Sequence, residues 1–193
     1  MPDAFSSFAS LAAAMIKGVD YSINWQGRDS RVLVIAPHGG TIEPGTSELA
    51  EAVAAGDLAL YRFEGLRADA FATLHLTSTR FDEPLALAMV ARADTVIALH
   101  GLAGPGRAIL VGGRNDELAD GIVAELVAAG IAARRATDGH YAGVQPENIC
   151  NRGRMGRGVQ LEIERGLRDE LRHQPDAKAN LAAAIRRAIG SLP

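Results

Sequence analysis

Apolar residues along this chain come in short continuous runs, separated by stretches that are polar or rich in glycine and proline. The run VLVIA (32–36) has no polar position, as expected of a strand buried on both faces. LALYRF (58–63), TVIALHG (95–101), AILVGG (108–113) and GVQLEIERG (158–166) read as further strands. ATLHLTS (72–78) alternates Leu74 and Leu76 with Thr73, His75 and Thr77, the period of a half-buried strand. Helix signals fall between these runs. Thr46 or Ser47 caps one helix, with Glu48 in its first turn. Asp82 caps a second, with Pro84 in its first turn, through LALAMVARA. Asn115 opens a third, whose stripe is Leu118, Ile122, Val123, Leu126 and Val127 and whose end is Gly130. The opening MPDAFSSFASLAAAMIKG reads as an amphipathic helix packed on the domain, and 177–189 as a closing helix. Strands alternating with helices predict an α/β fold: a single domain over residues 1–193, with a mixed, mostly parallel sheet flanked by helices.

Composition narrows the classes. The 193 residues carry a net charge of -3, and 48% are hydrophobic against 22% charged, which fits one soluble globular core. The acidic balance, with a pI near 5.9, offers no overall basic field for nucleic acid. Aromatics are 5% of the chain, too few for a base-stacking platform. Cys150 stands alone, which excludes an intrachain disulfide and a cysteine-based zinc site. No apolar run is long enough to span a bilayer. Asp3 stands where a signal peptide needs positive charge, and Lys17 follows the apolar stretch, so a cytoplasmic protein is expected.

The chemistry collects at strand ends. His38 follows VLVIA directly, and His100 ends TVIAL; a glycine follows each. If these strands are parallel, both imidazoles emerge at their carboxyl edge, where ligands of open α/β sheets gather. Glu43 lies five residues after His38, on a loop that Gly39, Gly40, Pro44 and Gly45 can fold back. Two imidazoles and a carboxylate make a three-ligand zinc set with the fourth position open, the pattern of a catalytic site. The plainer alternative is a turn histidine bonded to backbone beside a solvated loop acid. His75, inside its expected strand, reads as a core histidine or one supporting a ligand.

In GVQLEIERG, Gln160, Glu162 and Glu164 share one face opposite Val159, Leu161 and Ile163. A carboxylate in mid-strand needs a partner or a task, and Glu162 is a candidate general base. The competing explanation is an edge strand whose polar face meets water. Ahead of it, NICNRGRMGRG (148–158) sets Asn151, Arg152, Arg154 and Arg157 among glycines, a composition suited to carboxylates or phosphates. Arg-Gly runs also occur in nucleic-acid-binding segments, and most surface arginines are merely solvated.

Five segments together carry a resemblance: APHGGTIEPGTSELA, LHLTSTRFDEP, VIALHG, GGRND and ICNRGRMGRGVQLEIERGLR. In content and order they are similar to the poly-γ-glutamate hydrolase family, phage-encoded enzymes and bacterial relatives often named as phage-related replication proteins. The resemblance runs from about residue 18 to 190. It implies a zinc-carboxypeptidase-like fold and cleavage of γ-glutamyl amide bonds. It implies Zn2+ held by His38, Glu43 and His100, with Glu162 as general acid/base. It puts Asn151 and Arg152 near the substrate; apart from the resemblance, the need for a local positive patch against the substrate's carboxylates adds Arg80 and Arg157 as candidates. The expected partner is an acidic γ-glutamyl polymer, or a small γ-glutamyl or acyl amide, bound by a monomer without nucleic acid or membrane. Two alternatives stand beside it. One is a zinc deacylase of N-acyl amino acids or formylglutamate. The other is a non-enzymatic, replication-associated phage protein.

Overall fold

The structure is a computed structural model and describes residues 3–137 and 139–191. Among them, seven strands build one sheet: β1 (Tyr21–Gln26), β2 (Val32–Gly40), β3 (Ala59–Gly65), β4 (Thr95–Leu102), β5 (Ile109–Gly113), β6 (Ala133–Arg135) and β7 (Val159–Glu164). Their order is β1-β3-β2-β4-β7-β5-β6. The central strands β3, β2, β4 and β7 run parallel; β1 pairs antiparallel with β3, and β5 antiparallel with β7. The helices are α1 (Phe8–Ala14), α2 (Thr46–Ala54), α3 (Ala70–Leu74), α4 (Pro84–Val90), α5 (Asp116–Ala128), α6 (Arg165–His173) and α7 (Pro175–Gly190). A mixed, mostly parallel α/β sheet flanked by helices is thus the architecture the apolar pattern calls for.

Each central strand buries both faces, which splits the core into two layers. Val34, Ala36, Ile97, Leu99, Leu161 and Ile163 pack against α2, α5, α6 and α7. Leu33, Ile35, Val96 and Ala98 face the other way, onto α1, α3, α4 and the aromatic group Tyr61, Phe63 and Phe81. This two-sided burial explains why VLVIA and VIAL (96–99) carry no polar positions.

Several local expectations are corrected. Residues 72–78 are not a strand: α3 ends at Leu74, and the chain continues extended with no strand beside it. The alternation was real, since Leu74 and Leu76 are buried, but it reflects packing of a loop on the core. Asp82 does not cap α4. Its carboxylate accepts from the Phe8 N–H at 2.6 Å, while Glu83 is the cap and accepts from the Ala86 N–H. Gly45, in the left-handed region at φ 99°, is the N-cap of α2, and the Thr46 hydroxyl donates instead to the carbonyl oxygens of Glu43 and His38. The first helix is shorter than expected, opening at Ser7 in a capping box with Ser10.

Among the described residues no helix is long and apolar enough to cross a membrane.

Candidate metal centre and hydrolytic site

Strand direction assembles the site. In the parallel pair β2–β4, Ile35 lies opposite Ala98, so His38 and His100 leave the sheet at one edge. In the parallel pair β4–β7, His100 lies opposite Glu162. Paired residues of neighbouring strands point to the same face with backbones about 4.8 Å apart, so the backbone register alone sets Glu162 beside His100. The register of β2 against β3 shifts between Ala36 and Gly39, and His38 sits in that irregularity. Gly39 is required there: a Cβ would stand 2.2 Å from the Ser47 hydroxyl oxygen and 3.0 Å from the Phe63 carbonyl oxygen. The loop then folds back, with the Glu43 N–H donating to the His38 carbonyl at 2.9 Å, and brings the Glu43 carboxylate under the two imidazoles.

His38, Glu43 and His100 are all buried. His38 Nδ1 lies 3.2 Å from Glu43 Oε1 and 3.1 Å from His100 Nδ1, and His100 Nδ1 lies 3.8 Å from Glu43 Oε2. The outer nitrogens are held from behind. His38 Nε2 faces the Leu76 carbonyl oxygen at 2.8 Å, so it carries a hydrogen and Nδ1 is the nitrogen turned to the site. His100 Nε2 meets the Ser78 hydroxyl at 3.3 Å. Glu43 Oε2 accepts from the Gly101 N–H at 2.7 Å. The two Nδ1 atoms and both oxygens of the Glu43 carboxylate therefore converge. Ligand atoms around a tetrahedral zinc stand roughly 3.3–3.6 Å apart, given bonds of about 2.0–2.2 Å, and the observed separations bracket that range.

His75 joins the cluster, which sequence reasoning did not foresee for a ligand-distance group. His38, Glu43 and His75 each offer an atom within 4.8 Å of the others. His75 Nε2 is 4.0 Å from Glu43 Oε1, while Nδ1 meets the Asp3 carboxylate at 3.0 Å. Its ring stacks on that of His38, with centroids 4.2 Å apart and planes 32° apart. Imidazole binds a metal in its own plane, so stacked rings aim poorly at one ion. His38 and His100, at 55° with facing Nδ1 atoms, aim well. His75 is also the most exposed of the four side chains.

Charge follows the same geometry. Burial works against it, yet Glu43 is held down at about 2 by His38, by His100 and by the Gly101 N–H. Burial opposes the charged form of His38 too, but Glu43 outweighs it and His38 is raised above its ordinary value. His100 is pushed down to about 3 by burial and then by the neighbouring His38. Burial, reinforced by the Glu43 charge, raises Glu162 to about 8, against the pull of His38 and Arg168. The partner that a mid-strand carboxylate requires is Gln160, whose Nε2 donates to Glu162 Oε1 at 3.1 Å and to the Tyr141 carbonyl at 3.1 Å. Gln160 Oε1 in turn accepts from Asn148 Nδ2 at 2.7 Å.

The Arg-Gly segment divides. Asn151 is buried and saturated by backbone: Nδ2 donates to the Gly143 and Gln145 carbonyls, and Oδ1 accepts from the Arg114 and Gly158 N–H groups. It shapes the loops around Gln160 and has no group free for a ligand. Arg152 is exposed, with Nη1 3.4 Å from the Phe81 carbonyl oxygen, alongside the 75–81 segment that carries His75, Ser78 and exposed Arg80. Arg157 precedes Gly158, which backs onto the Val96 carbonyl near the start of β4. That is the amino edge of the parallel strands, away from the imidazoles. A loop that leads into the strand bearing Glu162 enters at the far end, because β7 runs parallel to β4.

A mixed α/β sheet with a His-His-Glu cluster at its carboxyl edge is the framework of a metallohydrolase-like fold. The family model for poly-gamma-glutamate hydrolase matches residues 5–184, and the chain belongs to that family. The UPF0714 protein YmaC of Bacillus subtilis (strain 168) is 41% identical over 170 residues, which cover 87% of this chain and 72% of that one. Two further relatives in that organism, at 41% and 42% identity, are longer, and the chain spans 61% and 60% of them. A solved bacteriophage poly-gamma-glutamate hydrolase superposes with a TM-score of 0.91 at 34% identity, over 98% of this chain and 97% of that one. A zinc-free structure of YndL superposes with a TM-score of 0.93 at 35% identity, over 98% of each chain.

Proposed function

We propose that this protein is a zinc-dependent hydrolase of γ-glutamyl amide bonds, with poly-γ-glutamate as its substrate class. His38, Glu43 and His100 would hold the metal, and Glu162 would serve as general acid/base. One observation carries the proposal. Two buried imidazoles, with their outer nitrogens held from behind, turn their Nδ1 atoms toward each other at 3.1 Å beside a buried carboxylate. Two ring nitrogens facing each other at that distance need a proton or a metal ion between them, and with the buried carboxylate beside them they form a set that zinc can occupy once the proton leaves. Family membership and the zinc-free state of a close structural relative support the same choice of metal and substrate.

When bound, zinc supplies Lewis-acid polarisation of the scissile carbonyl and acidifies water near neutral pH. The protein supplies the rest. Glu162 takes a proton from the attacking water and returns it to the departing nitrogen, so that a new carboxylate and a free amine result. Gln160 steadies that carboxylate by donating to its Oε1. His75, held by Asp3, stands 4.0 Å from Glu43 on the partly exposed side of the cluster. Arg152 and Arg80, exposed along the 75–81 segment, are the cations proposed to meet the α-carboxylates along a γ-linked chain. Arg157, at the opposite edge, has no place in that role.

The test is cleavage of poly-γ-glutamate, followed as loss of chain length and appearance of amino ends, with α-linked polyglutamate as the control. Cleavage confined to the γ-linked polymer is expected. Cleavage of neither, or of both alike, overturns the substrate assignment.

A further inference from the structure

Arg168, the fourth residue of α6, is 4% exposed. A guanidinium taken out of water is costly unless every donor finds a partner, and such groups usually face a carboxylate. Here the donors go to backbone. Nε donates to the Ile163 carbonyl at 2.9 Å, Nη2 to the Leu102 carbonyl at 3.3 Å, and Nη1 to the Pro44 carbonyl. These oxygens belong to three different segments. Pro44 follows Glu43, Leu102 lies two residues after His100, and Ile163 follows Glu162.

Two glycines make the approach possible. A Cβ on Gly101, next to His100, would stand 2.6 Å from the Arg168 Cζ. A Cβ on Gly45, two residues after Glu43, would stand 3.1 Å from the Arg168 Cβ. The glycine after His100 thus has a reason in this fold: the guanidinium occupies the space its side chain would need.

We propose that Arg168 is a positioning residue of the metal pocket, pinning the segments that carry Glu43, His100 and Glu162 in one mutual geometry. It rests on the metal assignment above. A lysine keeps the charge but presents one ammonium where a planar fork reaches three carbonyls. Its failure to replace arginine would separate geometry from charge.

The experiment compares wild type, Arg168→Lys, Gly101→Ala and the double variant. Zinc affinity is measured by chelator competition, pocket geometry by the visible spectrum of the Co(II)-loaded protein, and folding by thermal melts. Arg168→Lys is expected to fold, to lose about 10–100-fold in zinc affinity, the usual worth of a group supporting metal ligands, and to shift the Co(II) bands. Gly101→Ala, which displaces the guanidinium without removing it, should show the same two changes. If both act through the Arg168 guanidinium the double variant should lose no more than the larger single loss; additive losses would mean that Gly101→Ala acts through its own N–H to Glu43 and would overturn the shared route. If Arg168→Lys does not fold, Gly101→Ala decides by the same outcomes. Wild-type affinity and spectrum in the variants, with normal uptake by wild type, overturn the role of Arg168 alone. A wild type that takes up neither metal overturns the metal assignment and this role with it.

Discussion

Glu162→Gln should have two effects of opposite sign, and together they distinguish a catalytic carboxylate from a decorative one. The substitution keeps shape and the contact with Gln160 but removes the ionisable group. Turnover should fall about 10²–10⁴-fold, the usual worth of a general acid/base. Stability should rise. In the metal-free protein Glu162 is raised from 4.5 to about 8, so between those values the native state binds a proton that the unfolded chain does not. Wild-type stability therefore falls as pH climbs from 4.5 to 8, and the glutamine variant escapes that loss. At about 1.36 kcal/mol per pH unit the ceiling is about 5 kcal/mol; partial exposure of Glu162 reduces it to about 2. For a chain of this size that is roughly 4–8 °C in melting temperature. Metal-free wild type and variant would be melted at pH 5 and pH 8, and turnover measured on the zinc-loaded forms. The expected result is a variant nearly equal to wild type at pH 5, more stable at pH 8, and almost inactive. A variant with normal turnover, or one no more stable than wild type at pH 8, would refute the reasoning.

Three further outcomes follow from named contacts. The raised pKa of His38 means that the metal-free pocket holds a proton between His38 and Glu43; zinc must expel it, so affinity should climb as pH rises through that raised value. Calorimetry in buffers of different ionisation enthalpy near pH 6.5 should count about one proton released per zinc, and none released would contradict the pairing. Arg152→Ala should cost about 1.5–3 kcal/mol in kcat/KM on poly-γ-glutamate, the range for hydrogen bonds to charged groups, and little on an uncharged acyl amide; equal losses on both would remove Arg152 from carboxylate recognition. Gln160→Leu leaves Asn148 Nδ2 buried without its acceptor and frees Glu162 to turn, so it should cost about 1–3 kcal/mol by chemical denaturation and lower kcat more than it changes KM. A change confined to KM would argue against an orienting role.

The central strands β2 and β4 were readable from composition because the runs VLVIA and VIAL are buried on both faces and carry no polar position. Strand direction then carried His38, Glu43 and His100 to one edge from local spacing alone. What local pattern could not supply was long-range. Leu74 and Leu76 alternate as in a strand, yet their burial comes from a loop lying on the core, and no sequence signal says that a partner strand is missing. His75 enters the cluster through Asp3, 72 residues away. The edge strand β1 is only partly buried, with no clear alternation, and β6 has three residues, too short for periodicity to register. Arg157 shows a different failure. Nearness in sequence to Glu162 implied nearness in space, but the direction of β7 carries the arginine to the far edge. Arg168 was visible only as one basic residue in a charged helix, since its partners are carbonyls that no side-chain pattern encodes.

The most direct measurement returns zinc, in counted amounts, to metal-free protein while poly-γ-glutamate cleavage is followed, in wild type, His100→Ala and His75→Ala. Stripped wild type should be inactive and regain full activity at about one zinc per chain. His75→Ala should still take up the ion, whereas His100→Ala should neither bind it tightly nor recover. Full activity in the stripped protein, or recovery of His100→Ala to the wild-type level, would contradict the account.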